Sequence, residues 1–238
     1  MTESRSLWGG ATAGLALGLL IASASLAEAR PNSPDTPGNL GGLSGVDASP
    51  AARQVMAWVL DTADNQGLPF VIIDKIDARV LAFDREGRLL GAAPVLLGLA
   101  EGDVSPPGIG DRPLSAIAPE ERITPAGRFL ASMGENLGGK GILWIDYDSA
   151  LSLHPVITTR AADRRLQRLA SATAEDNRIS YGCINVPARF YEDVVQPAFH
   201  GTTGVVYILP ESRSLAEVFS LTPGVGASLP GGGGVTLD

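Results

Sequence analysis

The apolar residues change their spacing several times along this chain of 238 residues, and each change marks a boundary. From Trp8 to Leu26 they run on without a period, diluted only by glycines and small polar residues. Arg30 to Pro50 is rich in Pro, Gly, Ser and Asn and shows no apolar period, which predicts a flexible linker over 30–50. Ala51 to Asp64 then places Val55, Met56, Val59 and Leu60 on one face at helical spacing, with Gly67 as the stop. Residues 51–67 therefore read as a helical lead-in.

From Phe70 the pattern becomes that of strands. Phe70 to Asp74 and Ala78 to Phe83 are β-rich runs, and Asp84-Arg85-Glu86-Gly87 turns the second into Arg88 to Leu97. Gly98 to Ala126 carries Pro106, Pro107, Pro113, Pro119 and Pro125 and predicts a long irregular loop, a kind that is usually functional or disordered. Strands resume at Arg128–Ser132, Ile142–Ile145, Leu151–His154 and Val205–Leu209, with helical patches at Arg160–Ser171 and Pro187–Val195. The elements predict one mainly β domain over 68–210 with a few short helices. Residues 211–238, ending in Gly231 to Gly234, predict a mobile tail.

The N-terminus adds a location. Arg5, the apolar stretch and Ala27-Glu28-Ala29 before Arg30 have the order of a secretory signal peptide, which predicts cleavage after residue 29. A retained membrane anchor is the alternative, although a spanning helix wants ~20 apolar residues and this run is diluted by Gly9, Gly10, Gly14 and Gly18. Either way the domain is exported to the periplasm or cell envelope, and it meets the membrane only if the segment is retained. A net charge of −8 argues against nucleic acid as a partner, since phosphate binding needs a basic face. An exported chain with one cysteine forgoes disulfides, so its core must hold it together. A mature length of about 209 residues is enough for such a core.

That cysteine, Cys183, lies in the run Arg178-Ile179-Ser180-Tyr181-Gly182-Cys183-Ile184-Asn185-Val186. A solitary thiol is an inert core residue, a metal ligand, an intermolecular partner or a nucleophile. Small and polar neighbours on one side and an apolar strand on the other favour the nucleophile. A reactive thiolate needs a base or a positive potential, and the chain has two histidines. His154 ends a strand and is the better candidate; His200 follows Pro197 in a turn, where an exposed histidine is the ordinary expectation. A phenol ordinarily titrates near ~10, so Tyr181 is no candidate for a resting base, but it can donate a hydrogen bond. Gly182 lets the backbone turn so that successive N–H groups face a developing negative charge. One cysteine and two histidines lack the paired spacing of zinc motifs, so neither metal nor cofactor is predicted.

Ser180-Tyr181-Gly182-Cys183-Ile184-Asn185, preceded by a histidine after a strand, resembles the signature of the L,D-transpeptidase (YkuD-type) catalytic-domain family. That signature is a histidine, a spacer, then Ser/Thr-His-Gly-Cys, an apolar residue and Asn or Arg. Thr124-Pro125-Ala126-Gly127-Arg128-Phe129 is similar to the family's Thr-Pro-x-Gly-x-Phe lead-in to a strand. Val80 to Asp84 with Gly87 resembles its early hairpin, and Phe190 to Val206 its last helix and strand. The resemblance covers residues 70–210. It departs in two places: Tyr181 stands where the signature has histidine, and 25 residues, 155–179, separate His154 from Ser180, a longer spacer than usual. Within that spacer Arg160, Arg164 and Arg168 predict one stripe along a helix. The stripe is either a solvated face, with Leu166 and Leu169 inward, or a cationic wall for a peptide carboxylate.

The resemblance implies an L,D-transpeptidase-like β-sandwich or barrel and acyl transfer on peptidoglycan stem peptides. Cys183 is then the nucleophile of a thioester acyl-enzyme and His154 the general base and acid. Gly182 and Ser180 shape the oxyanion turn, and Tyr181, Asn185, Arg160 and Arg164 are candidates for the substrate pocket. The family's base is oriented partly by a backbone carbonyl, so no Asp partner is required. The acceptor stays open: a stem-peptide amine, a lipoprotein lysine or water. With water the protein is an L,D-carboxypeptidase or cross-link hydrolase. A non-catalytic wall-binding module of the same fold is a third reading, motivated by the missing motif histidine.

Overall fold

The computed structural model describes residues 47–136, 138–219 and 221. The predicted signal peptide, residues 30–46 of the linker and residues 222–238 of the tail lie outside the described residues. Helix α1, Pro50–Thr62, begins where Ser49 accepts the Ala52 N–H at 3.0 Å and Pro50 occupies the first turn. It ends at Ala63, whose left-handed conformation (φ 53°) sends its N–H back to the last carbonyls. Ala52, Val55, Met56 and Val59 form its buried stripe.

Ten strands follow among the described residues: β1 Phe70–Asp74, β2 Arg79–Phe83, β3 Leu89–Pro94, β4 Leu97–Gly98, β5 Gly127–Glu135, β6 Gly141–Asp146, β7 Leu151–Pro155, β8 Arg178–Ser180, β9 Ile184–Val186 and β10 Thr203–Ile208. Eight of them form one sheet in the order β3-β2-β1-β10-β5-β6-β7-β9, with β1–β10 and β7–β9 parallel and the other pairs antiparallel. The sheet nearly closes. Leu96, just past β3 at one edge, exchanges two backbone hydrogen bonds of 2.8 and 2.9 Å with Asn185 of β9 at the other edge. The next residues, β4, pair in parallel with β8. The mainly β expectation is borne out, with strands near their predicted positions and two short ones, β8 and β9, flanking the cysteine.

Alternation gives the sheet two faces. The inner face carries Val71, Ile73, Val80, Ala82, Ala131, Leu143, Leu153, Ile184, Val206 and Ile208, all buried. The helical segment 188–199 packs there through Tyr191, Val195 and Phe199. It comprises α3 (Ala188–Phe190), a π turn (Tyr191–Val195) and α4 (Gln196–Phe199). Pro197 has no N–H to return to Asp193, and the wider turn accommodates that missing bond. On the outer face, Phe70, Ile72, Leu81, Phe83, Val205 and Tyr207 pack under α1 and α5 (Leu215–Phe219). Residues 211–219, expected to be tail, are thus part of the fold: Phe219 is buried in this second core.

The long loop 99–126 forms three short 3-10 turns, Ile109–Asp111, Leu114–Ala116 and Pro119–Glu121. A buried ionic cluster anchors it. The Lys75 ammonium, fully inaccessible, donates to Asp103 at 2.7 Å and to the Thr124 carbonyl at 3.0 Å, and lies 3.3 Å from Glu211. Arg178 pairs with Glu211 in turn. The Asp103 carboxylate also accepts the backbone N–H groups of Glu211, Ser212 and Arg213 at 2.8–2.9 Å. Burial pushes the Asp103 carboxyl up, but Lys75, Ser212 and these N–H groups hold it well below the usual carboxylate range.

The region 160–171 departs from its prediction. Arg164 adopts a left-handed conformation (φ 50°) between a 3-10 turn, Ala161–Asp163, and the short helix α2, Arg165–Leu169. The break takes Arg160, Arg164 and Arg168 off any common helical stripe. Leu169 is buried as expected, whereas Leu166 is 57% exposed, because a single turn of helix has room for only one inward apolar position.

Candidate active site

Strands β7 and β9 run in parallel with Leu153 opposite Ile184 and His154 opposite Asn185. That register places Ser152 beside Cys183, and His154 one step along the same outer face. Leu153 and Ile184 point the other way and are fully buried, so the core fixes the orientation of both strands. Sequence separation is no obstacle here: the 25-residue spacer loops out through α2 while the two strand ends stay paired.

His154 is half-buried, and its Nδ1 lies 2.8 Å from the Pro155 carbonyl. A carbonyl can only accept, so Nδ1 carries the proton and Nε2 is left for the sulfur. Cys183 is half-buried as well. Burial pushes its thiol up, but a hydrogen bond and charge from His154 and hydrogen bonds from Ser152 outweigh it and hold the thiol below its ordinary value of 9.0. For His154 burial favours the neutral ring, and Arg165 does too. Cys183 and the Pro155 carbonyl prevail and raise the imidazole above its ordinary 6.5. The two shifts have one cause: each partner stabilises the charged form of the other.

The turn around the cysteine is closely tied. Ser180 Oγ accepts the Gly182 N–H at 3.1 Å and donates to the Cys183 carbonyl at 2.6 Å. Asn185 donates to the same carbonyl at 3.2 Å, and Arg165 donates to Asn185 at 2.8 Å and to Asp163 at 3.1 Å. Gly182 has φ 129°, and a Cβ there would lie 2.8 Å from the Ile123 carbonyl oxygen, so only glycine fits. Thr124 locks the approach: its hydroxyl donates to the Gly182 carbonyl at 2.7 Å and accepts the Gly98 N–H at 2.8 Å. The Gly182 N–H is engaged inside the turn rather than facing outward, so Ser180 and Gly182 act here as turn-formers.

A cavity of about 340 Å³ opens over the thiol, lined among others by His154, Cys183, Tyr181, Leu114, Arg160 and Arg165. Of the residues singled out from the sequence, the fold gathers Cys183, His154, Ser180, Tyr181, Asn185 and Arg160 around this cavity. Arg164 lines a separate cleft of about 240 Å³ with Gln167, Arg168, Ser171 and Asp176. His200 is exposed at the end of α4. The Tyr181 ring lies beneath the Arg122 guanidinium, 4.1 Å from ring centroid to carbon, and Arg122 donates to the Ile117 carbonyl. The sequence alone does not single out Ser152, Arg165, Arg122 or Leu114, and it marks Thr124 only within the lead-in to a strand. Only Ser152 had a local signal, since a period of two places it on the same face as His154. Among the described residues no group of three or more His, Cys, Asp or Glu side chains is placed to hold a metal ion.

No family model matches the chain, and no curated protein matches it in sequence. Its structure is similar to several solved ones. The NMR structure of the catalytic domain of the E. faecium L,D-transpeptidase matches at 15% identity over 59% of this chain and 96% of that one, with a TM-score of 0.33. LdtMt1 bound to imipenem matches at 14% identity over 59% of this chain and 58% of that one, with a TM-score of 0.33. The helical cell shape determining protein Pgp2 of Campylobacter jejuni matches at 14% identity over 61% of this chain and 48% of that one, with a TM-score of 0.39. The chain spans about half the length of Pgp2 and 58% of that of LdtMt1. The chemistry of the site rests on its own residues.

Proposed function

We propose that this protein is a cysteine acyltransferase of the L,D-transpeptidase type, exported to the cell envelope, where it acts on peptidoglycan stem peptides. The observation that carries the reading is that the paired strands β7 and β9 bring Cys183 and His154 together in one cavity with two arginines in its wall. The sequence signature around Cys183 supplies the substrate class. The cavity suits one end of such a peptide: Leu114 and Ile157 offer apolar surface, and exposed Arg160 offers a fork for a carboxylate.

In the first half-reaction the Cys183 thiolate adds to the carbonyl between an L-centre and a D-residue, forming a C–S bond. The tetrahedral intermediate collapses, the C–N bond breaks, and the His154 imidazolium gives its proton to the departing amine. A thioester remains. In the second half an acceptor amine attacks the thioester, neutral His154 takes its proton, and the thiolate leaves. The acceptor is a second stem peptide or a lipoprotein lysine; with water in its place the same site is a carboxypeptidase.

Incubation of the protein with a tetrapeptide stem tests the reading by intact mass. The expected result is an adduct on wild type, none on Cys183→Ala, and a rate reduced by at least about 100-fold for His154→Ala. Dimeric product marks transpeptidation, and tripeptide alone marks hydrolysis. Absence of both adduct and product from wild type would leave a wall-binding module and defeat the enzymatic reading.

A further inference from the structure

Two oxygen atoms lie within hydrogen-bonding reach of the Cys183 sulfur besides its histidine partner. The Ala150 carbonyl, 3.4 Å away, can only accept, so it serves the neutral S–H. The Ser152 hydroxyl, 3.5 Å away, can donate, so it serves the thiolate. The two oxygens favour opposite protonation states of one atom.

We propose that Ser152 is a positioning residue for the nucleophile: its hydroxyl donates to the thiolate, holds the sulfur beside His154, and takes over from the Ala150 carbonyl when the proton leaves.

Both partners are fixed by the fold. Ser152 is 3% exposed, and its neighbours Leu151 and Leu153 are anchored in the inner core, so its side chain has one direction available. The parallel register of β7 and β9 brings it level with Cys183. A buried hydroxyl is costly unless it is hydrogen-bonded, so a serine among the apolar residues of β7 signals a bond that matters. Ala150 sits in a left-handed conformation (φ 49°) with its N–H bonded to the Tyr147 carbonyl at 3.1 Å, which aims its own carbonyl at the sulfur. During acylation the sulfur's electron pair enters the new C–S bond and the hydrogen bond from Ser152 weakens. When the thioester opens, the pair returns to sulfur and Ser152 again stabilises the leaving thiolate. This sequence rests on the acyl-transfer reading; the titration of the thiol does not.

The test is the pH dependence of iodoacetamide alkylation of Cys183, followed by intact mass on the full chain. Ser152→Ala is expected to move the midpoint up by about one pH unit, the size of one hydrogen bond to a charged group. Ser152→Thr, which keeps the hydroxyl, is expected to keep the wild-type midpoint. Circular dichroism establishes that both variants are folded. An unchanged midpoint in Ser152→Ala, or equal shifts in the two variants, overturns the proposal. A shifted midpoint in a protein that forms no adduct with tetrapeptide keeps Ser152's role and defeats the acyl-transfer reading instead.

Discussion

Leu130 and Val205 sit directly opposite each other on β5 and β10 and point to the same face, yet Val205 is fully buried and Leu130 is 60% exposed. The border between them divides the outer face of the sheet in two. On β2, β1 and β10 the outward residues are Phe, Ile, Leu, Val and Tyr, roofed by α1 and α5. On β5, β6, β7 and β9 the register places Leu130, Ser132, Trp144, Ser152, His154 and Asn185 on that same face, with Cys183 at its end; Leu130 and Ser132 are exposed there, whereas Ser152 and Asn185 are buried beside the cavity. Alternation gives every strand an outer face, but it does not decide the use of that face. The roofed half stabilises, and the open half holds a thiol and an imidazole beside a cavity.

The largest effect on stability is expected in the roofed half. Phe83 stacks on Phe70 with ring centroids 4.7 Å apart, and both are fully buried. Phe83→Ala is expected to lower the unfolding free energy by about 3–5 kcal/mol, measured by urea titration. Next comes the ionic cluster that holds loop 99–126 against the open half. Lys75→Met leaves the Asp103 carboxylate buried without its cation and Glu211 with Arg178 alone, and a loss of about 3 kcal/mol is expected near neutral pH. The folded Asp103 carboxyl lies below its unfolded value of 3.8. Its contribution is therefore complete above that value and fades as the pH falls beneath it. Wild type should lose stability on acidification below pH 3.8, and Lys75→Met should lose less, because the pairing is already gone. Parallel acid profiles for the two proteins would show that the cluster is not what holds the loop.

On the open half the expected effects fall on reactivity. The rate of acyl-enzyme formation should follow a bell. Its rising limb belongs to the Cys183 thiol, below the ordinary 9.0, and its falling limb to the His154 imidazolium, above the ordinary 6.5. A single rise at the ordinary thiol value would contradict the pairing of Cys183 with His154. The smallest expected effect is on stability: Leu130→Ala should change it by no more than about 0.5 kcal/mol, since the side chain is mostly in water already. A loss as large as that of Phe83→Ala would mean that something covers the open half in solution.

Much of the site was legible in the chain because its signals are local. Gly182 is demanded by a positive φ in a tight turn, Ser180 closes that turn within three residues, and His154 and Ser152 share a face by strand period alone. Arg164 and Arg165 show the limit. A helical period over the spacer puts Arg160, Arg164 and Arg168 together, whereas the left-handed residue at 164 restarts the helix and sends Arg165 to Asn185 and the cavity. Nothing within a few residues of Arg164 announces that break. Lys75, which lies between two strands and carries no local signal, acquires its role from partners at 103, 124 and 211.

Local pattern in the chain set the mainly β elements, the lead-in helix from residue 51, and the chemistry available: one thiol, two histidines and a glycine turn beside the thiol. Each follows from hydrophobic period, backbone conformation or residue type, which act over a few positions. Only the tertiary fold sets β10 between β1 and β5, lays β7 parallel to β9, and packs α1 and α5 over one half of the outer face while the other half lines the cavity. Those outcomes depend on pairings between residues far apart in the chain, whose free energy comes from burying both faces of the assembled sheet at once. Through them His154 and Ser152, some thirty residues upstream, come to flank Cys183.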